Sequence, residues 1–217
     1  MYLKEIHLLS DDIVETERFY ASELDFIIES RDDRFIAFIV GETKLVFNKS
    51  EGLAPYYHMA FDIPANKLEE AYHWIKKSAP IIPVTPGNDF SDFSSWNARS
   101  FYFYDKNGNV LEFICRYAMN YQSKHPFGSS SILYVSEIGI VTENVPALSE
   151  QLIRQFNIEI FTRQPRQNNF TVLGKDTGLF IIVQKDKAWF PTSKPAKPFW
   201  TKIIFTSKEK MYEVILD

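Results

Sequence analysis

Apolar and polar positions alternate in short runs along most of the chain, and the runs recur in a fixed order. Residues 2–10 (YLKEIHLLS) place Ile6 and Leu8 on one face and Glu5 and His7 on the other, the period of two that marks a half-buried strand. Asp11 or Asp12 then caps a helix over 13–23, where Ile13, Thr16, Phe19, Tyr20 and Leu24 fall at helical spacing. Three short strands are predicted at 26–29, 34–40 and 43–48. The order is strand, helix, then three strands.

That order repeats. A strand over 56–63 carries His58, Ala60 and Asp62 on one face, and a helix over 66–78 has the stripe Leu68, Ala71, Tyr72 and Ile75. Strands at 81–84, 99–104 and 110–115 complete the second unit. A shift of 53 positions lays Glu5 on His58, Ile6 on Met59 and Leu8 on Phe61. A shift of 132 lays Glu5 on Glu137, Leu8 on Ile140 and Phe26 on Ile158, opening a third unit with a helix over 145–156 and strands at 158–162, 169–173 and 179–184. A fourth unit begins near 200 with a strand over 200–206 and a helix over 208–216, and no three strands follow. Repetition at this period marks an assembly of equivalent supersecondary units. The fold class is α+β, built from βαβββ modules. An N-terminal domain (1–116, modules 1–50 and 55–116) is complete, a Ser/Pro/Gly-rich linker spans 117–131, and a curtailed copy spans 132–217.

Two stretches break the alternation. Residues 85–98 (TPGNDFSDFSSWNA) form a long polar loop bearing Phe90, Phe93 and Trp96, of the kind that serves as a lid. Residues 105–113 (DKNGNVLEF) place Asn107-Gly108 between two strands, which predicts a hairpin with a tight type I′ turn. Glu112 is the one charge in the apolar run 110–115, so it faces either solvent or a group that stabilises it.

Composition narrows the function. With 45% hydrophobic and 24% charged residues the chain reads as a soluble globular protein. A net charge of −4 without any Lys/Arg cluster argues against nucleic acid. No run of 18 apolar residues and no basic-then-apolar leader is visible, so neither a membrane span nor a secretory signal is expected, and a cytoplasmic location follows. The single Cys115 lies in a strand and reads as core filler. His73, on a helix, and His125, in the linker, read as solvated. Aromatic residues reach 16%, so core or cavity walls are aromatic-rich.

The repeated βαβββ unit, with Asp105-x-x-Gly108-Asn109-x-x-Glu112-Phe113 closing the second copy, resembles the vicinal oxygen chelate superfamily: glyoxalases, bleomycin-resistance proteins and extradiol dioxygenases. Phe19-Tyr20 before Leu24-Asp25-Phe26 and His58-Met59-Ala60-Phe61 carry the same likeness. The resemblance implies paired modules forming a β cup, with divalent-metal ligands (Fe, Mn, Ni or Zn) on first and closing strands. Carried over by position, the ligands are His58 and Glu112, with Glu5 or His7 as the third. Whichever of Glu5 and His7 does not bind is the candidate catalytic acid/base. A fourth carboxylate is missing, since Lys44 and Val46 occupy that region. Glu137 has no evident partner and reads as structural or surface. The implied function is a metal-dependent glyoxalase- or dioxygenase-type enzyme holding vicinal oxygens of a small metabolite. The alternative is a metal-free small-molecule binder like the bleomycin-resistance proteins. A homodimer would cover the edge left by the incomplete module.

Overall fold

In the computed structural model, which describes residues 1–217, each module opens on a strand that runs parallel to its own closing strand. Module one is β1 (Tyr2–Ser10), α1 (Ile13–Glu17), β2 (Ile27–Arg31), β3 (Phe35–Val40) and β4 (Thr43–Lys49). Asp12 caps α1 by accepting from Glu15 N at 2.9 Å. The predicted helix continues past α1 as a wider π-helical turn over Arg18–Glu23 that buries Phe19 and Tyr20. Module two is β5 (His58–Ile63), α2 (Leu68–Ile75), β6 (Ile81–Ile82), β7 (Phe90–Phe93), β8 (Ala98–Tyr104) and β9 (Val110–Arg116). Module three is β10 (Tyr134–Thr142), α3 (Val145–Phe156), β11 (Phe170–Lys175) and β12 (Gly178–Gln184). Its expected strand over 158–162 survives only as an isolated bridge from Ile160 to Leu173.

The chain finishes on β13 (Thr201–Ser207) and β14 (Lys210–Leu216), an antiparallel hairpin, and not on the helix expected over 208–216. Lys208 and Glu209 both take positive φ, 48° and 65°, supplying the two-residue turn that hairpins favour without Gly or Asn to announce it. The turn at 105–109 differs in the other direction. Gly108 takes positive φ but Asn107 does not, and the loop spans five residues. The Asp105 carboxylate organises it, accepting from Asn107 N (3.0 Å), Asn109 N (2.8 Å), Asn109 Nδ2 (2.6 Å) and Tyr20 OH (2.8 Å).

The strands form two sheets, and their order overturns the pairing expected from the sequence. One has the order β14-β13-β1-β4-β3-β2; the other runs β11-β12-β10-β5-β9-β8-β6, with β7 added on β8. Opening strands pair with opening strands, antiparallel: β1 with β13 and β5 with β10. Module two therefore shares its cup with module three, and module one shares a sheet with the terminal hairpin. The boundaries 1–116 and 132–217 do not separate the two sheets. Residues 117–131 are also pinned: Ala65 N donates to Tyr121 O at 2.7 Å, and Phe127 packs on Trp74 and Phe113.

One core spans both sheets, running from Ile6, Phe47 and Phe205 on the first to Phe61, Phe113 and Phe180 on the second. Cys115 belongs to it, and its Sγ lies 3.3 Å from Pro64 O. His73 and His125 are exposed, as expected. Gly41, at φ 56°, lets the Leu133 carbonyl approach and accept from Glu42 N at 2.9 Å. A Cβ on residue 41 would sit 2.0 Å from Leu133 O, a backbone atom that cannot swing aside. Gly41→Ala is expected to cost about 2–4 kcal/mol in thermal or urea unfolding, from left-handed strain together with a lost hydrogen bond.

Candidate metal centre

His58, Glu112 and Glu137 converge on the floor of the eight-stranded sheet, with one ligand atom of each lying within 4.8 Å of the others. Register explains the convergence. Ala60 on β5 faces Glu112 on β9 and Glu137 on β10, so the two carboxylates flank a methyl group across three strands. His58 lies two residues before Ala60, on the same face. The pairing slips between Val135 and Glu137, leaving Ser136 as an extra residue, and this bulge sets Glu137 opposite Ala60.

All three side chains are buried, at 6%, 3% and 3% exposure for His58, Glu112 and Glu137. His58 Nδ1 donates to Val110 O at 3.0 Å, since a carbonyl can only accept. Nε2 therefore keeps its lone pair, 3.7 Å from Glu112 Oε2. Burial lowers the His58 pKa, opposed by Glu137. Burial, then the charge of Glu137, push Glu112 up to about 8. At neutral pH burial keeps a proton on Glu112 in the metal-free protein, eased only by the nearby Ser100 and Tyr102 hydroxyls, and Glu112 Oε1 makes no close hydrogen bond of its own.

Glu137 is held from behind by Arg116, which is 2% exposed. The Arg116 guanidinium also meets Asp62 (Nε to Oδ2, 2.9 Å) and Asp176 (Nη1 to Oδ1, 3.5 Å), and it lies 5.7 Å from the Trp96 ring centroid. Arg163 pairs with Asp176 and donates to Trp96 O at 2.7 Å. Burial pushes Asp62 up to about 7 against the pull of Arg116. Four carboxylates and two guanidiniums thus surround a neutral imidazole, leaving two negative charges when all the acids are ionised. That is the charge one divalent cation neutralises.

Above the floor is a cavity of about 230 Å³ with largely aromatic walls, among them Phe93, Trp96, Tyr102, Phe170, Trp189 and Phe190. Tyr102 faces inward while Phe101 and Phe103 enter the core, which settles the register of the aromatic strand. Phe93 and Trp96 come from the loop predicted as a lid; it is fastened to β8 through β7. The remaining wall is a strap over residues 185–200. Lys194 Nζ ties it down, donating to Gly108 O at 2.6 Å and lying 3.8 Å from the Tyr56 ring centroid. Tyr56 OH adds a bond to Pro195 O at 2.7 Å. The strap lays Trp189 over His58, ring centroids 5.2 Å apart. Only glycine at 139 leaves space for it, because a Cβ there would lie 2.5 Å from Trp189 Cη2.

Of the expected ligands, His58 and Glu112 meet here. Glu5 and His7 do not: they lie on β1, in the other sheet, where His7 Nε2 is 2.6 Å from Glu5 Oε1. The opening strand beside β5 is β10, so the third carboxylate is Glu137, buried and central where the sequence reading makes it structural or surface. The shift of 132 that lays Glu5 on Glu137 already puts this residue at the ligand position of its module. What it lacked was a partner strand. In module three Gly139 pairs with Ile181 as Ala60 pairs with Glu112 in module two, so an isoleucine stands where a fourth ligand would be.

The architecture is a glyoxalase/dioxygenase-like fold. Over 99% of this chain and 84% of the other, it superposes on a "putative dioxygenase" from Bacillus subtilis subsp. subtilis str. 168, with a TM-score of 0.63 and 12% identity. Weaker matches include a lactoylglutathione lyase from Agrobacterium tumefaciens (TM-score 0.45, 16% identity, 52% of this chain and 92% of that one). Another is a fosfomycin resistance protein from Listeria monocytogenes in complex with Mn(II) (TM-score 0.41, 18% identity, 52% and 87%). No family model and no curated protein matches the sequence. No helix is long and apolar enough to cross a membrane.

Proposed function

We propose that the cavity is the active site of a divalent-metal-dependent enzyme acting on a small oxygenated metabolite, with His58 Nε2 and the Glu112 and Glu137 carboxylates as the protein ligands. The supporting observation is the buried Glu112 oxygen without a partner, beside an imidazole whose free lone pair points at a carboxylate. Such a set is costly without a cation and suited to one. One imidazole with two carboxylates favours Mn(II), Fe(II) or Zn(II) over softer-site metals. When bound, the ion supplies Lewis acidity toward adjacent substrate oxygens.

The chain's own groups divide the remaining tasks. Val110 O fixes the His58 tautomer, and Arg116 aims Glu137. Trp189 and the strap keep bulk water from the ligands, and Tyr102 and Trp96 give a flat ligand two walls. Lyase and dioxygenase chemistry both fit such a site, since one fold hosts many reactions.

Metal-free protein titrated with Mn(II), Fe(II), Zn(II) and Ni(II) is expected to take up one ion per chain by elemental analysis. Loss of one charged ligand in Glu112→Gln weakens uptake by about 10-fold or more, on the scale of charge-assisted contacts. Glu5→Gln leaves uptake unchanged. Wild-type protein that binds no ion yet retains a small aromatic molecule would instead place it among metal-free binders, with Glu112 kept protonated by its burial.

A further inference from the structure

The strap contributes Trp189 and Lys187 to the cavity wall, and neither the indole N–H nor the ammonium is paired within the protein. Trp189 is 4% exposed, yet its Nε1–H has no acceptor. Buried indole N–H groups ordinarily find one, so an orphan in a cavity wall awaits an acceptor from outside the protein. Lys187, two residues earlier, lines the same cavity and forms no ion pair. The strap cannot easily shed either group, because Lys194 and Tyr56 anchor it and Gly139 seats the indole.

Size restricts what can enter. A cavity of 150 Å³ accommodates benzene, so about 230 Å³ holds a single ring with a few substituents. Building on the reading of this cavity as a small-molecule site, we infer that Trp189 Nε1–H and the Lys187 ammonium determine specificity by selecting single-ring compounds that carry a carboxylate. The indole supplies a directed hydrogen bond to one oxygen, and the ammonium makes an anionic acceptor preferable to a neutral one. A site built to donate discriminates strongly, since a ligand without the acceptor leaves a buried donor unpaired.

The test uses the full chain stripped of metal, so that its outcome does not depend on ion uptake. Benzoate and benzyl alcohol, alike in ring and size, are titrated by calorimetry and by ¹H–¹⁵N NMR of the indole N–H groups. Benzoate is expected to bind about 10-fold more tightly or better. The indole resonance that disappears in Trp189→Phe is expected to move further downfield with benzoate, a charged acceptor, than with benzyl alcohol, whose hydroxyl accepts more weakly. Trp189→Phe and Lys187→Gln each remove most of the preference for benzoate over benzyl alcohol. Lys187 is exposed enough that its variant tests the idea even if the indole variant folds poorly. Equal affinities of the wild type for the two compounds, or a Trp189 resonance that stays still while the ring binds, would overturn the inference.

Discussion

Arg116→Met lowers the stability of the folded chain by about 3–5 kcal/mol, the cost of stranding buried charges by removing one partner. Methionine fills much of the arginine volume, so packing changes little, but Asp62 and Glu137 lose their counter-ion, and Asp176 keeps only Arg163. For a chain of this length the unfolding midpoint falls by roughly 6–20 °C. Arg116→Lys falls between, because an ammonium keeps the charge and loses the fork that reaches three carboxylates from one plane. Thermal and urea unfolding of the three proteins at pH 7 measure this directly. A loss under about 1 kcal/mol in the methionine variant would mean that the carboxylates shed their charge without cost. Glu137 also loses its anchor, so metal uptake in Arg116→Met drops along with stability.

The second large effect is a pH dependence whose sign the cation removes. In the metal-free protein Glu112 binds its proton more firmly folded than unfolded, with a pKa raised from an ordinary 4.5 to about 8. Between those values the folded state holds the extra proton, so stability present at low pH is lost as pH rises toward 8. The slope approaches about 1.4 kcal/mol per pH unit while the group is fully engaged. Asp62 acts in the same direction up to about 7. His58, its pKa lowered, acts oppositely below its ordinary value of 6.5, so the informative window lies between pH 6.5 and 8. A bound ion requires the ionised carboxylate and cancels the Glu112 contribution. It also adds about 2.7 kcal/mol at 100 times its Kd. Urea unfolding across this window, with chelator and with Mn(II), should give a downward slope in the first series that is absent in the second. Glu112→Gln should flatten the chelated series. Identical slopes in all three would remove Glu112 from the account.

Much of the fold was legible because modules are local. The period-two runs at 2–10 and 58–63, the apolar run at 110–115 and the helical stripe of α3 each sit within a dozen residues, and the internal shifts locate the module openings without structure. Two local readings failed for local reasons. Residues 210–216 are short and apolar enough to suit either helix or strand, and Lys208-Glu209 carries no turn signal. Asn107-Gly108 looked like a two-residue turn, but Asp105 draws the backbone into a longer loop around its own carboxylate. The site was half legible. His58 and Glu112 follow from module equivalence, whereas the choice among Glu5, His7 and Glu137 depends on which opening strand lies against β5. That choice is made by contacts between residues far apart in sequence, and no periodicity encodes it. The strap, with Trp189 and Lys187, belongs to no module and has no counterpart in the repeat.

The nested order of the modules, first with last and the inner two together, binds the ends of the chain into one sheet. A cut anywhere within 117–131 would free two pieces that each contain part of both sheets, four of six and five of eight strands in the first piece and the rest in the second. Neither piece could finish a sheet alone, and each would expose the backbone edge that fits the other. Modules laid out in series along the chain thus close as a clasp, in which the wall bearing His58, Glu112 and Glu137 and its supporting neighbour stand or fall together.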